Sequence, residues 1–422
     1  MRISGALIDR ALASVPAAVT LVDRAGDPQA TLGADRSYVA SGHNAIYILP
    51  DEGPRRPISK TEVADFTRLA DALPYIDLIG VQAMPQDVMP EASLLHGVDA
   101  TFRNTTSHMF FSPESRPGAE AIFAMARAVA GTDDLANKPI VTCQLSSTSP
   151  LTWETGAVEA LISTARAGVP CCLLPQPYAG VTAPITLAGL LTVHNAEVLS
   201  GIVIAQLVRP GLPMIYGSAW TTFEMKEAHV MLGTPEAALL RIAGAQMARY
   251  YHVPYHTTGP DSEPHVHDEQ NGWERMMTLI AALGGGVDLL VNAGMFASGM
   301  TVSFEQLVMD NEMVGIVRRL LAGMAITEES LAVDSIDHIG PGGNFMMEDD
   351  TLRHLRSGEH WEKIVSNRAI YEKWRLRGEP DIVANARRHA RDLLASHRVP
   401  PLPPATQSRL DEIIRAFEAR LR

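Results

Sequence analysis

The sequence predicts an α/β chain whose centre is a TIM (β/α)8 barrel, with an N-terminal α+β cap and a C-terminal helical extension. Three observations carry this. Apolar runs of strand length recur between residues 75 and 339, with helical stretches between them. The runs are apolar on consecutive residues instead of alternating, as expected when a parallel sheet is covered on both faces. There are eight of them, and eight β/α units close a barrel. A doubly wound open sheet is the alternative, but no run leads into the G-x-G-x-x-G fingerprint of such nucleotide-binding sheets.

Residues 1–72 form the cap: a helix-like ISGALIDRALASV, strand-like AVTLVD and NAIYIL, and a second helix at SKTEVADFTRLADAL. Ser59 followed by Glu62 is a capping box, which satisfies two orphan amide donors where that helix starts. The barrel spans 73–358, its strands being YIDLIGVQ, SHMFF, KPIVTCQL, GVPCCLL, LPMIY, HVPYHT, GVDLLVN and LAVDSIDHI. Its first helix, about 91–102, is weak, and its eighth, about 349–357, is short. The extension covers 359–422: two helical stretches, the stiff proline-rich linker 400–404, and an amphipathic helix at about 407–421.

The 422 residues carry a formal charge of −13, with 46% hydrophobic and 20% charged residues. That composition belongs to a folded globular protein and excludes disorder, collagen and coiled coil. The acidic balance disfavours nucleic acid and anionic membrane as partners. Cys143, Cys171 and Cys172 are odd in number and two are adjacent, which suits neither a disulfide framework nor a thiolate zinc site, so the expected compartment is the cytoplasm. The opening residues include Arg2, Asp9 and Arg10 and lack the apolar core of an export signal. Residues 167–196 contain no Asp, Glu, Lys or Arg. Pro170, Pro175, Pro177, Pro184 and Gly180 interrupt them, so they read as a buried strand, a loop and a helix start instead of a membrane span.

A β/α barrel places its chemistry at the C-terminal ends of the strands. Those ends supply Gln82, Met84, Phe110, Phe111, Gln144, Gln176, Tyr178, Tyr216, Trp220, Phe223, His256, Asn292, Phe296 and His338, and are short of acids. The facing carboxylates of a glycosidase are missing. His265 and His267 could share one side of a strand, which keeps a metal-dependent barrel hydrolase as a competing reading, but further ligands are lacking and no tightly bound metal is expected. No G-x-S-x-G nucleophile elbow is present. What remains is aromatic: the ring faces of Tyr178, Tyr216, Trp220 and Phe296 could hold a quaternary ammonium. Asn292 ends the seventh predicted strand and is a candidate for substrate contact. His108 and His256 are candidates for a substrate carboxylate, against the alternative of satisfied core histidines. Glu305 opens a helix, where a carboxylate is either functional or a stabiliser of the helix N-terminus.

The run PQPYAGVTAPITLAGLLTVHNAEVLSGIVIAQLVRPGLPMIYG (175–217) closely resembles the trimethylamine methyltransferase family. Matching motifs flank it: NTTSHM (104–109), GSAWTTFEMKEAHVMLGTPEAAL (217–239), NAGMFASGMTVSFEQLVMDNE (292–312) and GPGGNF (340–345). The resemblance spans roughly residues 30–400. It implies a TIM barrel that moves a methyl group from a small quaternary or tertiary amine to the cobalt of a corrinoid (cobalamin) carried by a partner protein. Every residue is a standard amino acid, so the pyrrolysine of some members is absent and the chain is similar to the glycine betaine methyltransferases. It also draws attention to Glu197, beside His194 and Asn195. The loop Gly340, Gly342 and Gly343, after the eighth predicted strand, becomes a candidate for the corrinoid's nucleotide tail, since barrels often bind phosphate there. The N-terminus is shorter than is usual in the family, and Asn344 stands where many relatives have histidine. A homo-oligomer is expected, and a non-catalytic quaternary-amine-binding protein is the other competing reading.

Overall fold

The computed structural model describes residues 2–34, 36–355 and 357–421. Eight parallel strands form one sheet: β1 (Tyr38–Ser41), β2 (Ile79–Gly80), β3 (Met109–Phe111), β4 (Val141–Leu145), β5 (Cys171–Leu173), β6 (Met214–Ser218), β7 (Tyr255–Thr258) and β8 (Leu289–Ala293). Each neighbours the next around the ring, and β8 pairs with β1. A parallel bridge between Ala40 and Leu78 joins β1 to the start of β2, so the sheet closes as a barrel. Each strand is followed by a helix: α1 (Lys60–Ala72), α2 (Ser93–Asn104), α3 (Arg116–Ala130), α4 (Thr155–Ala167), α5 (Leu187–Val208), α6 (Pro235–Tyr251), α7 (Glu269–Gly285) and α8 (Phe304–Leu321). The Ser59–Glu62 capping box is present at the start of α1.

The count of eight is right but its register is shifted by one unit. The first barrel strand is β1, inside the segment read as a cap, and the seven predicted strands from YIDLIGVQ to GVDLLVN are β2 to β8. LAVDSIDHI is no strand: it contains the helix Val333–Ile339 and has no buried residue. Its apolar Val333, Ile336 and Ile339 recur every third residue, a helical spacing. β1 was hidden because it is four residues long and offers a tyrosine, a serine and two small apolar residues in place of an apolar run.

Two layers of core follow from the pleat. Inward-facing Ala40, Leu78, Phe110, Cys172, Ile215, Leu289 and Val291 form one cluster with Val19, Leu21, Ala30 and Leu32 of an antiparallel hairpin, Val19–Val22 with Pro28–Leu32. The hairpin therefore plugs the N-terminal end of the barrel. Outward-facing residues such as Met109, Cys143, Cys171, Met214, Tyr216 and Leu290 pack against the surrounding helices. Past α8, residues 322–360 pass through short helices without burying a single described side chain. The helix Ile382–Ser396 then returns along α8 and α1, and the helix Pro404–Leu421 lies on α3, tied to α2 by Arg103–Asp411 (2.7 Å) and His96–Glu418 (2.9 Å).

Candidate active site at the barrel mouth

The C-terminal strand ends bring seven side chains to the open end: His43 just past β1, Gln82 past β2, Phe110 in β3, Gln144 in β4, Cys172 in β5, His256 in β7 and Asn292 in β8. Glycines make the crowding possible. A Cβ on Gly42 would run into Met295 Sδ, and one on Gly217 would sit 2.6 Å from Cys172 Sγ. Where β8 ends, a bulge holds Asn292 at φ 95°, a conformation that non-glycine residues adopt only under strain and that recurs at functional sites. The loop beyond is fixed from behind by a fully buried ion pair, Arg275–Asp310, whose carboxylate accepts the Gly294 N–H (2.6 Å).

Inside the mouth the contacts are pairwise. The Gln144 amide donates to His43 Nε2 (2.7 Å), and Cys172 Sγ lies 2.8 Å from His256 Nδ1. Asn292 Nδ2 donates to Asp261 Oδ1 (2.9 Å), and Asp261 pairs with Arg241 (2.6 Å), both 2% exposed. Both imidazoles meet the Phe110 ring edge to face, with centroids 5.3 and 6.2 Å away. Burial pushes the His43 pKa down to about 4, with Asp261 pulling the other way, and that of His256 down to about 3, with His43 adding to the drop. Burial lifts the Cys172 thiol well above its usual value. At neutral pH the mouth therefore presents two neutral imidazoles, a neutral thiol, three amides and one internally neutralised ion pair.

Several of these groups have an unused valence. His43 Nδ1, Gln82 Oε1, Gln144 Oε1, Ser147 Oγ and His256 Nε2 are buried without a hydrogen-bond partner. Each such atom costs about 1–3 kcal/mol, so a cluster of them marks a site built to be filled. With the Cys172 S–H donating to Nδ1, the ring proton of His256 sits on Nε2. The Gln144 amide likewise leaves that of His43 on Nδ1.

The other sequence candidates lie elsewhere. His108 is at the plugged end, where Nδ1 donates to Val22 O (3.1 Å) and Nε2 accepts from Thr142 Oγ1 (2.9 Å). Tyr216 faces the helix layer, its hydroxyl donating to Asn195 Oδ1 (3.2 Å), because the pleat of β6 turns Ile215 inward. Trp220 lies 3.9 Å from His194, with its Nε1 unpartnered, and Tyr178 stacks on Phe223 at 6.0 Å. Phe296 lies 5.2 Å from His267 and, among the described residues, pairs with none of the other three rings. Glu305 opens α8 and accepts from Arg387 (2.8 Å) of the helix Ile382–Ser396; burial raises its pKa. Glu197 accepts from Ser149 Oγ and Leu151 N (2.8 and 2.7 Å), tying α5 to the loop after β4. His267 bonds Gln306 and Ser303 (3.0 Å each), and among the described residues no group of three metal-ligating side chains exists. Gly340, Gly342 and Gly343 follow a helix, in the exposed segment beyond α8.

Of the sequence candidates, His256 and Asn292 lie at the mouth, together with the strand-end residues Gln82, Phe110 and Gln144. His43, whose strand the sequence did not reveal, and the Cys172–His256 and Arg241–Asp261 pairs were not among them.

A family model described as trimethylamine methyltransferase (MTTB) matches residues 1–421. The chain is 33% identical over 414 residues to a trimethylamine methyltransferase of Desulfitobacterium hafniense, a match covering 98% of this chain and 83% of that protein. It is 32% identical over 418 residues to a glycine betaine methyltransferase from another strain of that species, covering 98% and 86%. Among solved structures, the Methanosarcina barkeri monomethylamine methyltransferase aligns with a TM-score of 0.50 over 94% of this chain and 82% of that one, at 13% identity, a likeness of fold.

Proposed function

The chain belongs to the trimethylamine methyltransferase family, and from that premise we propose that it moves a methyl group from a glycine betaine-like quaternary ammonium compound to the cobalt of a separate corrinoid protein. The observation that carries this reading is the uncharged mouth with its bare hydrogen-bonding atoms. His43 Nδ1–H and His256 Nε2–H are donors for a carboxylate. The carbonyl oxygens of Gln82 and Gln144 are acceptors that suit the positive methyl groups of an ammonium head.

The acid–base character of the mouth fits the same substrate. A corrinoid in its cobalt(I) state supplies a two-electron nucleophile. When the carbon–nitrogen bond of a quaternary amine breaks, its electron pair stays on nitrogen and a neutral tertiary amine departs without a proton. A tertiary amine would instead need an acid to leave as a neutral molecule. His43, His256 and Cys172 all titrate far from neutrality, so none is poised for that work. Their task is to orient the substrate and to strip its water. Exposed Leu151, Val181, Ile185, Met225, Val266 and Met300 sit on the loops after β4 to β8, apolar surface suited to a partner that approaches the mouth.

The test is an anaerobic spectral assay with cob(I)alamin and a panel of glycine betaine, carnitine, choline and trimethylamine. Methylcobalamin should form with a carboxylate-bearing quaternary amine and not with trimethylamine. A betaine that raises the melting temperature, yet gives no transfer to free or protein-bound corrinoid, would favour a binding protein.

A further inference from the structure

We propose that residues 322–360 form an arm that docks on a second copy of this chain, against its basic C-terminal layer. The arm is not a disordered tail: it contains the helices Glu328–Leu331, Val333–Ile339 and Asp349–His354, the first closed by a Thr327–Ser330 capping box. Yet none of its described residues is buried, and ten large apolar side chains stand in solvent, Met324, Ile326, Met346 and Met347 each at 71% or more. Apolar surface on that scale marks an interaction site.

Three arguments identify the occupant. The first is area. A compact monomer of 45.6 kDa exposes about 15,900 Å². This chain exposes 19,699 Å², roughly 3,800 Å² more. Permanent homodimer interfaces bury about 2,000–5,000 Å² in total, about 1,000–2,500 Å² from each partner, and are the most apolar class, so the excess on this chain is ample for one such interface. The second is position. Barrel helices run antiparallel to the strands, so α8 ends at the plugged face, and there the arm departs. It returns there too: Glu359 bonds Arg319 near the end of α8 (3.2 Å), and Glu312 accepts the Val365 N–H (2.6 Å). A protein that must reach the mouth is therefore not its cover. The third is charge. Residues 322–360 carry a net −6, eight acids against two arginines, whereas residues 361–422 carry a net +5, thirteen basic residues against eight acids. Among the described residues, the arm's acids pair only within the arm and with Arg319. Two copies related by a two-fold axis would satisfy both surfaces at once.

The experiment is sedimentation velocity on the full chain at 1–20 μM, with the double variant Met346→Asp/Met347→Asp beside it. The expected result is a dimer or a multiple of one, with the variant at least tenfold weaker in association and its melting curve still cooperative. Because the variant could misfold, a mixture of ¹⁴N- and ¹⁵N-labelled chains is also assembled and cross-linked with carbodiimide. Mixed-isotope links should join arm carboxylates to Lys363 or Lys373. A monomer at 20 μM, an oligomer indifferent to the double variant, or links confined to single-isotope pairs would each overturn the proposal. None of these readouts depends on methyl transfer.

Discussion

At the plugged end of the barrel His108 uses both ring nitrogens, on Val22 O and Thr142 Oγ1, whereas at the mouth His43 and His256 each use one and leave the other bare. All three imidazoles are held neutral by burial, down to about 4, 4 and 3. Burial therefore does not distinguish the histidines of the two ends; the unused valence does. At the plugged end the hairpin supplies Val22 O and strand β4 supplies Thr142 Oγ1, partners that the histidines of the mouth lack, so the mouth is the end that gains by admitting a ligand.

The largest effect expected is one in which the two ends behave alike. A histidine whose folded pKa lies below its unfolded value of about 6.5 favours the fold fully above that pH and loses its contribution as the pH falls toward the folded value. His43, His108, His194 and His256 all lie between about 3 and 4. Each costs about 1.4 kcal/mol per pH unit below 6.5, so four together remove about 8 kcal/mol by pH 5, comparable with the whole stability of a domain. Circular dichroism should follow a cooperative unfolding near pH 5. A chain still folded at pH 4 would show that water reaches these rings.

Single substitutions should then separate the ends. His108→Ala strands Val22 O and Thr142 Oγ1 and opens a void, so stability should fall by about 2–4 kcal/mol while folded molecules keep their methyl-transfer rate. His256→Ala and His43→Ala each strand one partner in place of two and relieve one bare ring nitrogen, so chemical denaturation midpoints should fall less than for His108→Ala. Each deletes a hydrogen bond to a charged group, about 1.5–3 kcal/mol, or roughly 10- to 100-fold in kcat/KM for a betaine. Equal destabilisation by all three would erase the distinction between the ends.

Cys172→Ala sharpens the same contrast, because it touches the substrate only through His256. Without the thiol, Nδ1 is free to take the ring proton and Nε2 no longer presents one. KM for a betaine should rise several-fold with kcat less affected, about 1 kcal/mol in all. Cys172→Ser, which restores a donor, should recover most of the loss; no recovery would mean that the thiol matters through packing alone.

How much of this was legible in the sequence follows from what periodicity can carry. Seven strands and the Ser59–Glu62 cap announce themselves locally, because apolar runs and capping residues act over a few positions. β1 has too few apolar residues for that signal, and its loss cost the site His43, since a strand's end is inspected only once the strand is known. Tyr216 was assigned to the mouth from its position along β6, whereas its facing depends on the pleat, and there Ile215, not Tyr216, points inward. Cys172 reads as a small hydrophobe because its partner stands 84 residues away. The bare nitrogens of His43 and His256 are tertiary facts of the same kind: they record which neighbours are missing.

The smallest predicted effect concerns the rim. Glu263, in the loop after β7, accepts the amides of Leu232 (2.5 Å) and Gly233 (3.0 Å) from the loop after β6, and so clasps two mouth loops together. Burial, with Glu274 and Asp261 nearby, raises its pKa to about 7 despite those two donors. A carboxyl that holds its proton more tightly when folded contributes fully below its unfolded pKa of about 4.5 and loses that contribution as the pH rises through 7. Glu263→Gln keeps an oxygen for both amides and removes the charge. The variant's advantage over the parent should grow by about 1–2 kcal/mol between pH 5.5 and pH 8, the difference read from denaturant midpoints. An advantage that is the same at both pH values would mean that the gain comes from packing. One confined to high pH would show the rim loosening where the plugged end, whose His108 is neutral throughout that range, stays fixed.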